Sequence, residues 1–274
     1  MNHHTERIAI LGSGNIGLSL AKGLVKSGEY MATQITLTRR NINALTDFKT
    51  EGFQVTNDNS EAVKNATILV LAVLPQQLNK LLHEISPYID KERHLMISVI
   101  SGVSCQDIRK QLNQEVAVVR AMPNTAIAIS ASMTCIASDQ ATAAQIEQVK
   151  TIFNTVGITI QINEELMTSA TALCACGIAF FLRAIRAASQ GGTEIGFHAH
   201  EALEMAAQTA KGAADLLLKL HSHPEQEIDK VTSPKGCTIA GLNEMEHQGF
   251  SSALIKGIKT SAEKAGGLYT ENQN

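Results

Sequence analysis

Three glycines, Gly12, Gly14 and Gly17, stand at Gly-x-Gly-x-x-Gly spacing between the apolar run Ile8-Ala9-Ile10-Leu11 and a helix-like stretch from Leu18 to Val25. Glycine is common, so the spacing alone says little. A strand directly before it and a helix directly after it are what a dinucleotide phosphate site requires. The three positions have different duties: Gly12 permits a tight turn, Gly14 lets backbone approach a pyrophosphate, and Gly17 lets helix and strand pack closely. With Asn15 and Ile16 they open a helix whose first N–H groups and positive dipole end suit an anion. The bland alternative is a glycine-rich turn in some other α/β protein. About twenty residues further on, an NAD site carries Asp or Glu for the ribose 2′-hydroxyl. This chain has Arg39-Arg40-Asn41 there. Two guanidinium groups suit a 2′-phosphate, held through forked, charge-assisted hydrogen bonds. Their alternative use is to solvate the start of a surface helix. The combination points to NADP(H) in preference to NAD(H).

Cys174-x-Cys176, His198-x-His200 and His221-x-His223 are the other side chains whose chemistry draws notice. Residues two apart on a helix face away from each other, so no metal centre is expected, and the cysteines read as small apolar packing groups.

The elements that must position these residues alternate through the first half. Residues 34–38 read as a strand, 41–51 as a helix capped by Asn41 and stopped by Gly52, 53–56 as a short strand, and 61–65 as a helical turn. The unbroken apolar run 66–73 predicts a strand buried on both faces. Pro75 suits the first position of the next helix, where no N–H is needed. Strands are expected at 95–100, 116–121, 133–137 and 158–162, with a helix over 142–153. This alternation predicts a doubly wound, mostly parallel sheet with its ligand at the carboxyl ends of the strands. From Asn163 the pattern turns alanine-rich and helical, over 164–189, 200–220, 238–247 and 252–265, and the tail 266–274 reads as loose. Small residues on these faces allow close helix approach, and few large side chains remain for a private core, which predicts a homo-oligomer.

The chain has 274 residues, room for two domains, and a net charge of −3. That charge gives no reason to expect nucleic acid or an acidic membrane as partner. Five cysteines at irregular spacing do not resemble a secreted disulfide framework. The N-terminal apolar stretch is too short for a signal peptide. The longest apolar run, 167–182, is shorter than the roughly 20 residues that span a bilayer. A cytoplasmic, soluble protein is expected.

Three further segments follow the glycine turn in order: Ala72-Val73-Leu74-Pro75-Gln76, Arg120-Ala121-Met122-Pro123-Asn124-Thr125, and Val231-Thr232-Ser233-Pro234-Lys235-Gly236-Cys237-Thr238. Through them the chain resembles the pyrroline-5-carboxylate reductase family. The resemblance implies an N-terminal Rossmann doubly wound sheet over residues 1–162 and a C-terminal all-helical dimerisation domain over 163–274. It implies NAD(P)H-dependent reduction of 1-pyrroline-5-carboxylate to L-proline, a step of proline biosynthesis, by a homodimer or larger ring. It puts Asn59, Ala72, Val73, Pro75 and Gln76 along the cofactor and Asn124 at the nicotinamide end, beside the small-molecule substrate. Ser233 and N–H groups from Gly236 to Thr238 would hold the carboxylate, and the Thr238 hydroxyl would face the ring nitrogen as the catalytic group. Hydride transfer to a C=N bond is chiefly a positioning problem, so a hydroxyl suffices without a dedicated His or Asp. On local signal alone, Ser233-Pro234 reads equally as a turn and Thr238 as a helix cap. Departures from the family pattern cluster on the substrate side. Thr171 to Phe180 reads Thr-Ala-Leu-Cys-Ala-Cys-Gly-Ile-Ala-Phe where the family has Thr-Ala-Leu-Ser-Gly-Ser-Gly-Pro-Ala-Tyr, and Lys235 and Cys237 replace a glycine and a small residue or threonine; in the cofactor segment Leu74 replaces a lysine. Two competing readings are a reductase of a different imine or keto acid and an NADP-binding regulatory protein. Retention of Ser233 and Thr238 favours an enzyme.

Overall fold

Apolar runs without polar interruption make strands that bury both faces, and two of them, Ile8–Leu11 and Ile68–Leu71, lie side by side within an eight-stranded sheet. The computed structural model describes residues 6–267; His3, His4 and positions 268–274 of the expected loose tail lie outside it. In chain order the elements are β1 (Ile8–Leu11), α1 (Asn15–Ser27), β2 (Ile35–Thr38), α2 (Thr46–Thr50), β3 (Gln54–Thr56), α3 (Asn59–Lys64), β4 (Ile68–Leu71), α4 (Pro75–Ile85), β5 (Leu95–Ser98) and α5 (Cys105–Leu112). There follow β6 (Ala117–Met122), β7 (Ser132–Ala137), α6 (Ala143–Asn154), β8 (Gly157–Gln161), α7 (Met167–Ala170), α8 (Gly177–Glu194), α9 (Ala199–Leu220), α10 (Pro224–Lys230), α11 (Cys237–His247) and α12 (Phe250–Gly266).

The sheet order is β3-β2-β1-β4-β5-β6-β7-β8. All pairings are parallel except β6 with β7. β1 pairs with β2 on one side, from Ile8↔Ile35 to Leu11↔Thr38, and with β4 on the other, from Ile8↔Ile68 to Leu11↔Leu71. Strand order reverses at β1, and the connections leaving β1 and β4 run to opposite sides, so a crevice opens beyond their carboxyl ends. Alternation along β1 sends Ile8 and Ile10 into one core layer with Leu20 and Leu24 of α1, and Ala9 and Leu11 into a second with Leu78 and Leu82 of α4.

One expected element differs in form. The helix expected over 41–51 begins as a 3-10 turn, Ile42–Leu45, and becomes α-helical only at α2; Asn41 caps it by accepting from the Asn43 N–H at 3.2 Å, and Gly52 ends it at φ +95°. Helices α5 and α10 were not expected. The first carried a legible start, a capping box in which Ser104 and Asp107 each accept from the other's N–H.

The chain divides into two compact units, one comprising residues up to Cys176 together with those from Ser261 onward, the other Gly177–Thr260. The first unit runs past residue 162 because Met167 and Ala170 of α7 pack with Met122, Cys135 and Ala137 of the sheet. In the second unit α8 and α9 approach closely: a Cβ on Gly192 would lie 3.0 Å from that of Ala202. This unit has little core of its own, and Phe181, Leu182, Ile195, Leu218 and Leu220 are each more than half exposed. Between α7 and α8 the residues Thr171–Cys176 form a π-helix. Helical structure is therefore continuous over Glu164–Glu194, 31 residues with a mean hydropathy of 1.6 in its most apolar window. The apolar run 167–182 is part of this longer helix, which continues through Arg183 and is long and apolar enough to cross a membrane by length and composition.

Candidate functional site

A cleft of about 950 Å³ lies at the sheet's switch point. Its walls come from three turns: Gly12, Gly14, Asn15 and Ile16 after β1; Arg39 and Arg40 after β2; Ala72, Val73, Pro75 and Gln76 after β4. Asn59, at the start of α3, joins them. Gly17 alone of the expected cofactor residues does not line the cleft. A Cβ there would lie 2.8 Å from Ile10 Cγ2, so its work is to bring α1 down onto β1.

The turn tests well as a phosphate cradle. Gly12 sits at φ +92°, and a Cβ on it would meet Val73 Cγ1 at 2.5 Å and the Ala72 carbonyl oxygen at 2.9 Å. A Cβ on Gly14 would have no heavy atom within 4 Å. Gly14 is also the N-cap of α1, which carries no side-chain cap and no acidic residue in its first turn. Uncapped N–H groups at a helix N-terminus bind phosphate without further help.

Hydrogen bonds lock the rim. Thr38 Oγ1 accepts from the Gly12 N–H at 3.2 Å and donates to Asn59 Oδ1 at 2.6 Å, and Asn59 Nδ2 donates to Glu84 Oε1 at 3.1 Å. Asn59 is thus oriented from both ends. Arg39 and Arg40 are exposed. Asn57, Lys80 and Glu84 line the cleft as well and escaped the sequence reading. The last two stand four apart on α4, the helix Pro75 opens, so helical spacing from that proline was the signal for them.

The other expected site residues lie elsewhere. In the second unit the loop from Val231 leads into α11, with Gly236 as its N-cap and no side-chain cap. The Gly236 N–H donates to the Ser233 carbonyl at 2.9 Å, and a Cβ on Gly236 would meet Ser233 Oγ at 2.5 Å. Ser233 and Gly236 are therefore held together, with Thr238 half-buried in the first turn of α11. Lys235 adopts φ +61°, a left-handed conformation that costs a non-glycine residue roughly 1–2 kcal/mol. Asn124, buried in the first unit, does not line the cleft. Its Oδ1 accepts from the Ala126 N–H at 3.0 Å and its Nδ2 donates to the Cys174 carbonyl at 3.2 Å.

Among the described residues, one group has the makings of a metal site: Cys105, Asp139 and Glu164, whose ligand atoms lie within 4.8 Å of one another. Its charges are already matched. Arg109 forms a bidentate pair with Asp139, and Arg120 Nη1 lies 3.3 Å from Glu164 Oε1. The guanidinium of Arg109 holds the Asp139 carboxyl below the usual carboxylate range. Burial, then the charge of Glu164, pushes the Cys105 thiol up to about 12. A protonated thiol and two paired carboxylates make an ion-pair cluster and not a cation cage.

Sheet order, glycine turn and uncapped helix together define a Rossmann-type dinucleotide-binding protein, followed by a helical C-terminal half. Residues 7–102 match the family model described as NADP oxidoreductase coenzyme F420-dependent, and residues 164–268 match pyrroline-5-carboxylate reductase dimerisation. Pyrroline-5-carboxylate reductase 1 of Dictyostelium discoideum is 53% identical over the whole chain, which spans 52% of that relative's length. Pyrroline-5-carboxylate reductase 2 of the same organism is 52% identical over 96% of the chain and 93% of its own length. The structure superposes on a pyrroline-5-carboxylate reductase from Coxiella burnetii with a TM-score of 0.91 at 28% identity, covering 97% of this chain and all of that one. The chain belongs to the pyrroline-5-carboxylate reductase family.

Proposed function

We propose that the protein reduces 1-pyrroline-5-carboxylate to L-proline, uses NADPH in preference to NADH, and acts as a homodimer or larger homo-oligomer in the cytoplasm. The observation that carries this reading is identity above one half, over nearly the full length of both chains, with a relative bearing that name. NADPH, when bound, supplies the hydride.

In this reading the glycine turn and the first N–H groups of α1 bind the pyrophosphate, and Arg39 and Arg40 hold the 2′-phosphate. Asn59, fixed by Thr38 and Glu84, lines the pocket opposite the 72–76 segment. The Ser233 hydroxyl and the uncapped N–H groups of α11 hold the substrate carboxylate, by the same helix-terminus physics as the phosphate cradle. The Thr238 hydroxyl donates to the imine nitrogen, favouring the electron-poor form of the C=N bond. Asn124 enters as a positioning residue, since both ends of its amide are already engaged. The exposed apolar side chains of α8 and α9 are covered by a second copy, which the match to a dimerisation family supports. That covering, and not a membrane, is the use assigned to the long apolar helix. Five unpaired cysteines support the cytoplasmic assignment.

The test is NADPH oxidation on addition of 1-pyrroline-5-carboxylate, compared with NADH. NADPH binding without turnover would leave the cofactor assignment standing and remove the substrate. Thr238→Ala is expected to lower kcat/KM for the imine by about 100-fold, the range of one proton-donating group, while the NADPH dissociation constant stays within about twofold. Unchanged turnover in this variant takes Thr238 out of the mechanism.

A further inference from the structure

We propose that Cys135 and Cys174 form a reversible disulfide that pins the π-helical segment Thr171–Cys176 to β7. The two sulfurs lie 3.8 Å apart, in contact across a sequence separation of 39 residues. A disulfide needs them at about 2.05 Å, so the sulfurs must close by less than 2 Å. The setting makes that closure one-sided. Cys135 is buried on β7, a strand held by β6 and β8. Cys174 sits on a π-helix, a rare local form frequent at functional sites, and not on a strand held from both sides. It is half-buried, the more exposed of the two.

The pair is also chemically polarised. The hydrogen bond from Cys135 draws the Cys174 thiol below the usual cysteine range, and the same bond, with burial, raises Cys135. The more thiolate-like member is thus the accessible one, the arrangement of an attacking and a resolving cysteine. The Cys174 thiolate attacks a low-molecular-weight disulfide and releases one small thiolate, leaving a mixed disulfide. Cys135 then attacks the Cys174 sulfur, its thiol proton passing to the second departing thiolate. Two protein thiols and one small disulfide become one protein disulfide and two small thiols, so the small disulfide is reduced as the protein is oxidised. Cys105 stays outside this chemistry, since its buried thiol donates to the Val118 carbonyl at 3.5 Å.

The bond would fix backbone that the site already uses. The Cys174 carbonyl receives the Asn124 amide, and Asn124 caps the 3-10 turn Thr125–Ile129. Oxidation therefore braces β7, Asn124 and the π-helix as one piece.

The experiment is oxidation of the purified, reduced protein with oxidised glutathione, followed by alkylation of remaining thiols and peptide mapping without reductant. The expected result is loss of two thiols, a linked pair of peptides holding Cys135 and Cys174, and full reversal by a dithiol reductant. The melting temperature of the oxidised protein should rise by about 5–10 °C, as closing a long loop implies. Cys174→Ser removes both the linked peptide and the shift, whereas Cys176→Ser keeps both. Should Cys135→Ser fail to fold, wild-type mapping and Cys174→Ser still decide. Cys135 and Cys174 both remaining alkylatable, Cys174 linked to Cys176, or a reaction that stops at glutathionylated Cys174 would each overturn the proposal.

Discussion

Replacing Arg39 and Arg40 together by alanine raises the KM for NADPH by about two orders of magnitude and leaves that for NADH within about threefold. A charge-assisted hydrogen bond is worth about 1.5–3 kcal/mol, but both arginines are exposed, and solvent discounts such pairs heavily. About 2.7 kcal/mol for the two together, a factor of 100, is the figure left after that discount. Lys80 lines the same cleft, and its charge would remain in the double variant. Because such a contact would be charge on charge at a wet rim, raising salt should weaken NADPH binding to the wild type more than to the double variant. Initial rates with both cofactors at fixed ionic strength check the result. An equal rise in both KM values would show that the arginines do not read the 2′-phosphate.

The architecture was legible where burial and periodicity agree. β1 and β4 are apolar without interruption and lie at the centre of the sheet, and Pro75 stands at the first position of its helix as its missing N–H requires. Legibility failed where tertiary contacts decide. Nothing in 167–176 distinguishes a helix of the second unit from one packed on the sheet; Met167 and Ala170 belong to the first because Met122 and Cys135 face them. The π-helix at Thr171–Cys176 was likewise hidden, since an insertion in helical winding leaves no periodic signature in six residues. The helix expected over 164–189 extends to Glu194, and Arg183 ends only the apolar run 167–182. A single arginine on an exposed face interrupts hydropathy and not helicity.

Site residues divide in the same way. Local backbone chemistry marked the glycine turn and charge type marked Arg39 and Arg40, all of which lie at the cleft. Glu84 and Lys80 carried a weaker signal, their helical spacing along the helix that Pro75 opens. Asn124 shows a further limit: its motif marks it, but its amide is spent on the Ala126 N–H and the Cys174 carbonyl. Cys174 was read as a packing group beside Cys176, two residues away. Its partner is Cys135 on β7, a pairing that only the fold could reveal.

Gly12→Ala and Gly14→Ala separate folding from cofactor binding two residues apart. At Gly12 a methyl group would stand 2.5 Å from Val73 Cγ1 and 2.9 Å from the Ala72 carbonyl oxygen, on backbone at φ +92°. Val73 can rotate, but the carbonyl moves only with the turn after β4, which forms the opposite wall of the cleft. Left-handed strain and the backbone clash together cost about 2–4 kcal/mol, a fall in melting temperature of roughly 5–15 °C. At Gly14 the same methyl meets nothing within 4 Å, on backbone at φ −91° that any residue adopts. The apo protein should therefore melt within about 2 °C of the wild type. The methyl would instead occupy space through which the pyrophosphate reaches the α1 N–H groups, so NADPH affinity should drop at least about tenfold. Thermal melts with and without saturating NADPH read both effects, because ligand stabilisation follows directly from concentration over dissociation constant. The wild type gains stability with NADPH, Gly14→Ala keeps its baseline and loses most of the gain, and Gly12→Ala loses baseline and gain together. A Gly14→Ala protein that keeps the full NADPH-induced shift would put the pyrophosphate somewhere other than the turn, because close backbone approach there is the duty assigned to Gly14.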